Sequence, residues 1–69
     1  MNDNIMKNYR IKKELKQEEI AKMINCTKAG YSLYESGQRQ PKASIIIKLS
    51  QILDCSINEL INHFANLEN

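Results

Sequence analysis

Few side chains in this chain could take part in covalent chemistry. The soft ligands are Cys26, Cys55 and His63, spread too widely to form a zinc site, which needs about four ligands at short spacing. No nucleophile, base and orienting group fall into a usable set, and no glycine-rich loop could cradle a phosphate. Neither an enzyme nor a cofactor is expected. What the residue types do offer is a recognition surface. On a helical period across residues 28–36, Lys28, Ala29, Ser32, Leu33 and Ser36 share one side, and Tyr31, Tyr34 and Glu35 share the other. The first side is short-chained and polar apart from Leu33. It could approach the floor of the DNA major groove, which is about 12 Å wide and admits one helix. Lysine can donate to guanine O6 and N7, and a leucine can meet a thymine methyl.

The elements that must hold such a face follow from composition and breakers. Sixty-nine residues, 42% apolar and 26% charged, describe one small globular domain. No apolar run is long enough to span a membrane. The polar start, Met1 to Asn4, lacks the apolar stretch of a secretion signal. A cytoplasmic location with reduced thiols is therefore the expectation. Charge is uneven. Residues 7–42 carry nine Lys or Arg against four Glu, a net +5, whereas residues 43–69 carry a net −2. A polyanionic partner on one side fits that asymmetry.

No useful stretch alternates with period two, so the whole chain reads as helical. Helices are predicted over about 4–14, 17–24, 28–36, 44–53 and 57–66. Asp3 or Asn4 can cap the first. Glu18 and Glu19 suit the positive end of the second. Asn25 can take the left-handed turn that stops it. Thr27 caps the third, Gly37 ends it, and Ser56 with Glu59 forms a capping box for the fifth. Ile20, Ala21 and Ile24, then Ile46, Leu49, Ile52 and Leu53, point inward, and Ile57 and Leu60 can close the core. Met6 is read as filler and His63 as a polar residue near the tail. The central feature is helix, three-residue turn, helix over residues 19–36, with small Ala21 at the crossing and Cys26 plugging the turn.

These residues resemble a known family. Arg10, Gln17-Glu18-Glu19-Ile20-Ala21, Tyr34-Glu35-x-Gly37-x-Arg39-x-Pro41 and Ile52-Leu53-x-x-Ser56-Ile57-x-Glu59-Leu60 look like the Cro/CI-type (XRE-like) helix-turn-helix domains of phage repressors and bacterial regulators. The resemblance covers residues 5–61. It implies an all-α, compact five-helix, lambda-repressor-like DNA-binding domain spanning 1–69, with the helix-turn-helix at helices two and three. It also implies a third helix in the major groove of palindromic operator DNA, and a two-fold homodimer. By position, Lys28, Ala29, Ser32 and Leu33 match base-facing residues. Lys16, Gln17, Thr27, Ser36, Arg39 and Lys42 match phosphate-facing ones. Arg10 and Glu35 match an internal ion pair. Some positions depart from the family pattern. Lys16 stands where Ser or Thr usually caps the second helix, and Gly30 weakens the third by about 0.5–1 kcal/mol relative to Ala. Tyr31 replaces a branched aliphatic and must find a larger pocket or lean toward DNA. Lys42 replaces a cap and shifts the fourth helix start to Ser44.

Ile61, Phe64 and Leu67 continue as a second apolar stripe beyond the core, and the 57–69 helix and tail are expected to form the dimer contact. The reading is a DNA-binding regulator that acts by occupancy, a repressor with no small-molecule ligand and no membrane partner. The alternative is an antitoxin or protein-binding adaptor that keeps the fold.

Overall fold

The computed structural model describes residues 4–65. Among them are five helices and no strand: α1 (Ile5–Lys12), α2 (Gln17–Met23), α3 (Lys28–Glu35), α4 (Ala43–Leu53) and α5 (Ile57–Ala65). The all-α, five-helix expectation holds. None of these helices is long and apolar enough to cross a membrane.

Helix starts follow cap chemistry. The Asn4 side chain accepts the Lys7 N–H at 3.0 Å, and the Thr27 hydroxyl accepts the Gly30 N–H at 3.0 Å. Ser56 and Glu59 exchange bonds as a capping box. Lys16 has no side-chain acceptor to offer α2. Its own N–H is met by the Glu19 carboxylate at 2.7 Å, which reaches back from the first turn. Lys42 also caps without a side-chain bond, yet α4 begins at Ala43, one residue earlier than the sequence suggested. An extended backbone at Lys42 is enough to free the first carbonyl.

Helix ends share one device. Glu14, Asn25, Gly37 and Asp54 all have positive φ, at 57°, 62°, 79° and 57°. At the first three, the residue after the reversal returns its N–H to the helix: Leu15 to Arg10, Cys26 to Ala21 and Gln38 to Leu33. At the fourth, Cys55 bonds back to Ser50. Each such bond goes to a carbonyl near the helix's end; those of Arg10 and Ser50 also receive the Lys13 and Asp54 N–H groups. Only one of the four is glycine. The reversal at Glu14 also ends α1 two residues before the expected boundary.

The core draws on all five helices. Met6, Ile20, Ala21, Ile24, Tyr31, Ile46, Leu49, Leu53, Leu60 and Phe64 are buried. Met6 fills the core from α1, wholly enclosed and that helix's one buried residue. Ile52 packs at the core margin. On α5 Leu60 faces inward and Ile61 outward as expected, but Phe64 and Ile57 trade places. Leu60 and Phe64 are both fully buried, whereas Ile57 is 42% and Ile61 48% exposed. The inward stripe therefore runs through residues four apart, 60 and 64, rather than through 57 and 60. Phe64 belongs to the chain's own core and is not open to a partner. Leu67 lies outside the described residues. Tyr9 donates its hydroxyl to Glu59 at 2.8 Å, a bond that ties α1 to α5 in this orientation.

Candidate nucleic-acid interface

The inner side of α3 is built around one carboxylate. Glu35 is 4% exposed and accepts from three residues on three helices. Arg10 of α1 donates through Nε at 2.6 Å and Nη2 at 3.3 Å. Gln17 of α2 donates through Nε2 at 2.8 Å. Tyr31, one turn earlier on α3, donates its hydroxyl at 3.0 Å. The third Arg10 nitrogen, Nη1, bonds the Leu15 carbonyl at 2.9 Å. Tyr31 thus takes the larger pocket and does not lean outward; it is fully buried. Its hydroxyl explains why an aromatic can replace an aliphatic there: it adds a donor where the carboxylate needs one.

Burial opposes ionisation of Glu35, but the hydrogen bonds from Arg10, Gln17 and Tyr31 outweigh it. They hold its carboxyl below the usual carboxylate range. The same carboxylate raises the Arg10 guanidinium further above its ordinary value, against the opposing effect of burial. Burial, with Glu35 beside it, also pushes the Tyr31 phenol upward. The hub is charged at neutral pH, fully paired, and locks the rotation of α3 about its own axis.

That rotation decides what faces outward. Lys28 and Ala29 are exposed, and Ser32 and Leu33 are half-exposed. Leu33 is therefore less open than a freely exposed leucine, although it is not among the residues packed on the core. Ser36, Arg39 and Lys42 are exposed beyond it. The Ser36 hydroxyl bonds the Leu33 carbonyl at 3.2 Å. Next to the start of α2 lies an open concavity of about 320 Å³, lined by Arg10, Lys16, Gln17, Glu18 and Lys28. Gln17 keeps one amide N–H and its carbonyl oxygen beyond the bond to Glu35. Lys16, Gln17 and Lys28 thus come together from two helices at one rim. Thr27 is exposed, with its hydroxyl engaged as the α3 cap.

The comparisons with known proteins bear on this geometry. A family model described as helix-turn-helix matches residues 6–60. The chain belongs to the helix-turn-helix family, XRE type. Members of this family are DNA-binding transcriptional regulators. One relative is the uncharacterized HTH-type transcriptional regulator YqaE of Bacillus subtilis (strain 168), 34% identical over 61 residues, covering 88% of this chain and 53% of the relative. Another is the cryptic phage CTXphi transcriptional repressor RstR of Vibrio cholerae, 33% identical over 57 residues, covering 83% and 51%. The chain spans about half the length of these curated relatives. No solved structure matches it significantly.

Within this helix-turn-helix domain, three polar residues escaped the reading of the sequence. Tyr31 completes the Glu35 hub. Asn4, besides capping α1, donates its amide to the Glu35 carbonyl at 2.9 Å. His63 is half-buried, and its Nε2 lies 3.1 Å from the Tyr34 carbonyl. The last two contacts join residues 31 and 29 positions apart in the chain, so no local pattern could signal them. Only the Arg10, Gln17 and Glu35 spacing carried a trace of the junction.

Proposed function

We propose that this chain binds operator DNA as a two-fold homodimer and represses transcription by occupancy. The observation that carries the reading is the division of α3: Tyr31 and Glu35 are buried and bonded, while Lys28 and Ala29 are exposed with Ser32 and Leu33 half-exposed beside them. In this reading α3 enters the major groove, and Lys28, Ala29, Ser32 and Leu33 meet base edges. Lys16, Gln17, Thr27, Ser36, Arg39 and Lys42 meet phosphates, setting register and supplying a salt-dependent affinity. The concavity beside α2 is where a phosphate would sit: Lys16 and the remaining amide N–H of Gln17 line it, Arg10 and Lys28 add positive charge to its wall, and Glu18 is the one opposing charge there. The dimer forms through the exposed Ile61 of α5, and its two α3 helices lie about 34 Å apart, one turn of the duplex. The likeness to the phage transcriptional repressor RstR supports the repressor role, and a cytoplasmic site of action goes with a DNA target.

The test is selection from a random duplex library at moderate salt. The expected product is a palindrome with half-sites about ten base pairs apart. Lys28→Ala relaxes preference at one position, and Gln17→Ala weakens all sequences alike. An enriched site without symmetry would remove the dimer, and no enrichment would remove the operator.

A further inference from the structure

The last turn of α3 is held from outside by two side chains that neither the family pattern nor the interface uses. A helix leaves its final four carbonyls without partners inside the helix. In α3, Ser32 accepts from the Ser36 N–H, and Leu33 accepts from the Gln38 and Arg39 N–H groups. The Tyr34 carbonyl accepts the Gly37 N–H, and the Tyr34 and Glu35 carbonyls each also receive a side chain from a distant element. Asn4, at the head of α1, takes the Glu35 carbonyl, and His63, in the last turn of α5, meets the Tyr34 carbonyl. His63 also abuts the reversal that follows. A Cβ added at Gly37 would lie 3.9 Å from its Nε2 and 4.0 Å from its carbonyl oxygen. The His63 ring is itself set edge-on against the buried Phe64, with centroids 5.0 Å apart. The contact to Tyr34 is a hydrogen bond when Nε2 carries the ring proton, because a carbonyl can only accept.

We propose that His63 and Asn4 are positioning residues for recognition: by clamping the Tyr34 and Glu35 carbonyls, they set the tilt of α3 and the direction in which the chain leaves Gly37 toward Arg39. The Glu35 hub fixes rotation about the helix axis. A carboxylate near one end cannot alone fix the angle between the helix and the rest of the domain, and two further bonds from α1 and α5 at the last turn do so. The His63 bond also connects the recognition helix to the helix that carries Ile61. A change at the proposed dimer contact is then felt at α3. The inference rests on the DNA-binding reading for its consequence, and on the free protein for its geometry.

The full chain is compared with His63→Leu, His63→Gln and Asn4→Ser. Glutamine keeps a donor at a similar reach, and serine keeps an oxygen to cap α1 while removing the amide donor. The first readout is amide hydrogen exchange of the free protein. His63→Leu and Asn4→Ser raise exchange at residues 36–39 about fivefold beyond any change at the core amides of Leu49 and Leu53, the scale of one lost hydrogen bond. His63→Gln changes it less than about twofold. The second readout is the affinity ratio between the selected duplex and a shuffled one. It falls roughly three- to tenfold in the Leu and Ser variants, by the same one-bond scale, and recovers with Gln. The proposal is overturned if exchange is unchanged, if it rises equally at Leu49 and Leu53, or if Gln is no better than Leu. If the unmodified chain discriminates between no duplexes, the operator reading falls, and the exchange arm still decides whether these two residues hold α3.

Discussion

The two faces of α3 differ in kind. Inward, Glu35 and Tyr31 are enclosed, and the carboxylate takes hydrogen bonds from α1, α2 and α3 itself. Outward, Lys28, Ala29, Ser32 and Leu33 have no role in the core. One face fixes where the helix sits, and the other is left to meet something else. The lesson is that a partner-reading surface can change residue by residue without disturbing the scaffold, provided the opposite face is overdetermined. Substitutions on the two sides should therefore separate stability from recognition.

The largest effect is expected from Glu35→Ala. It leaves the Arg10 guanidinium, 13% exposed, facing a void with its partner gone. Breaking a buried pair on one side costs about 3–5 kcal/mol, a large share of a small domain's stability, readable by chemical denaturation. Lys28→Ala should do the reverse. Its stability stays within about 0.5 kcal/mol of the parent, while discrimination at one base position drops by about 1–3 kcal/mol. A Lys28→Ala variant that unfolds as readily as Glu35→Ala would erase the contrast.

Acid sharpens the same comparison. The Glu35 carboxyl is depressed in the folded state, so its contribution is complete above the unfolded value of about 4.3. It is lost as pH falls through the lower folded value. Stability should decline from about pH 4.5 downward, and Glu35→Gln should flatten that decline while lowering the plateau at neutral pH. Equal acid sensitivity in the two proteins would show that the hub does not carry the linkage.

Tyr31→Phe removes one donor from the hub and keeps the ring. A loss of about 0.5–1.5 kcal/mol is expected, with base preference unaltered. Smallest is Glu14→Gly, away from both faces. Relief of the left-handed conformation at φ 57° should raise stability by about 0.5–1 kcal/mol, after the extra freedom glycine gains in the unfolded chain. A destabilised Glu14→Gly protein would mean that the Glu14 side chain contributes more than its backbone strain removes.

How much of this was legible in the sequence depends on how far each signal reaches along the chain. Caps and stops were readable because they act within three or four residues. Thr27 facing Gly30, Ser56 facing Glu59 and Asn25 with positive φ are all local. Glu14 was not readable, because glutamate has no preference for the left-handed region and takes it only where α1 must give way to α2. Periodicity placed α5, with Leu60 inside and Ile61 outside, but put Ile57 in and Phe64 out. Ile57, Leu60, Ile61 and Phe64 make a band wider than one face, and packing against the rest of the core, with Tyr9 of α1 bonded to Glu59, decides which edge goes inside. The outward side of α3 was legible as a pattern of small or polar residues at 28, 29, 32 and 36. The bonds that aim it, from Asn4, Tyr31 and His63, join side chains whose meeting depends on the finished fold.

The central claim is that the outward side of α3 meets duplex DNA. It is tested most directly by following backbone amide resonances of the full chain as the selected duplex is added. The largest shifts are expected at Lys28, Ala29, Ser32 and Leu33, with a second group at Lys16 and Gln17 that weakens as salt is raised. Shifts confined to Ile57 and Ile61 on α5, with residues 28–33 unmoved, would contradict it.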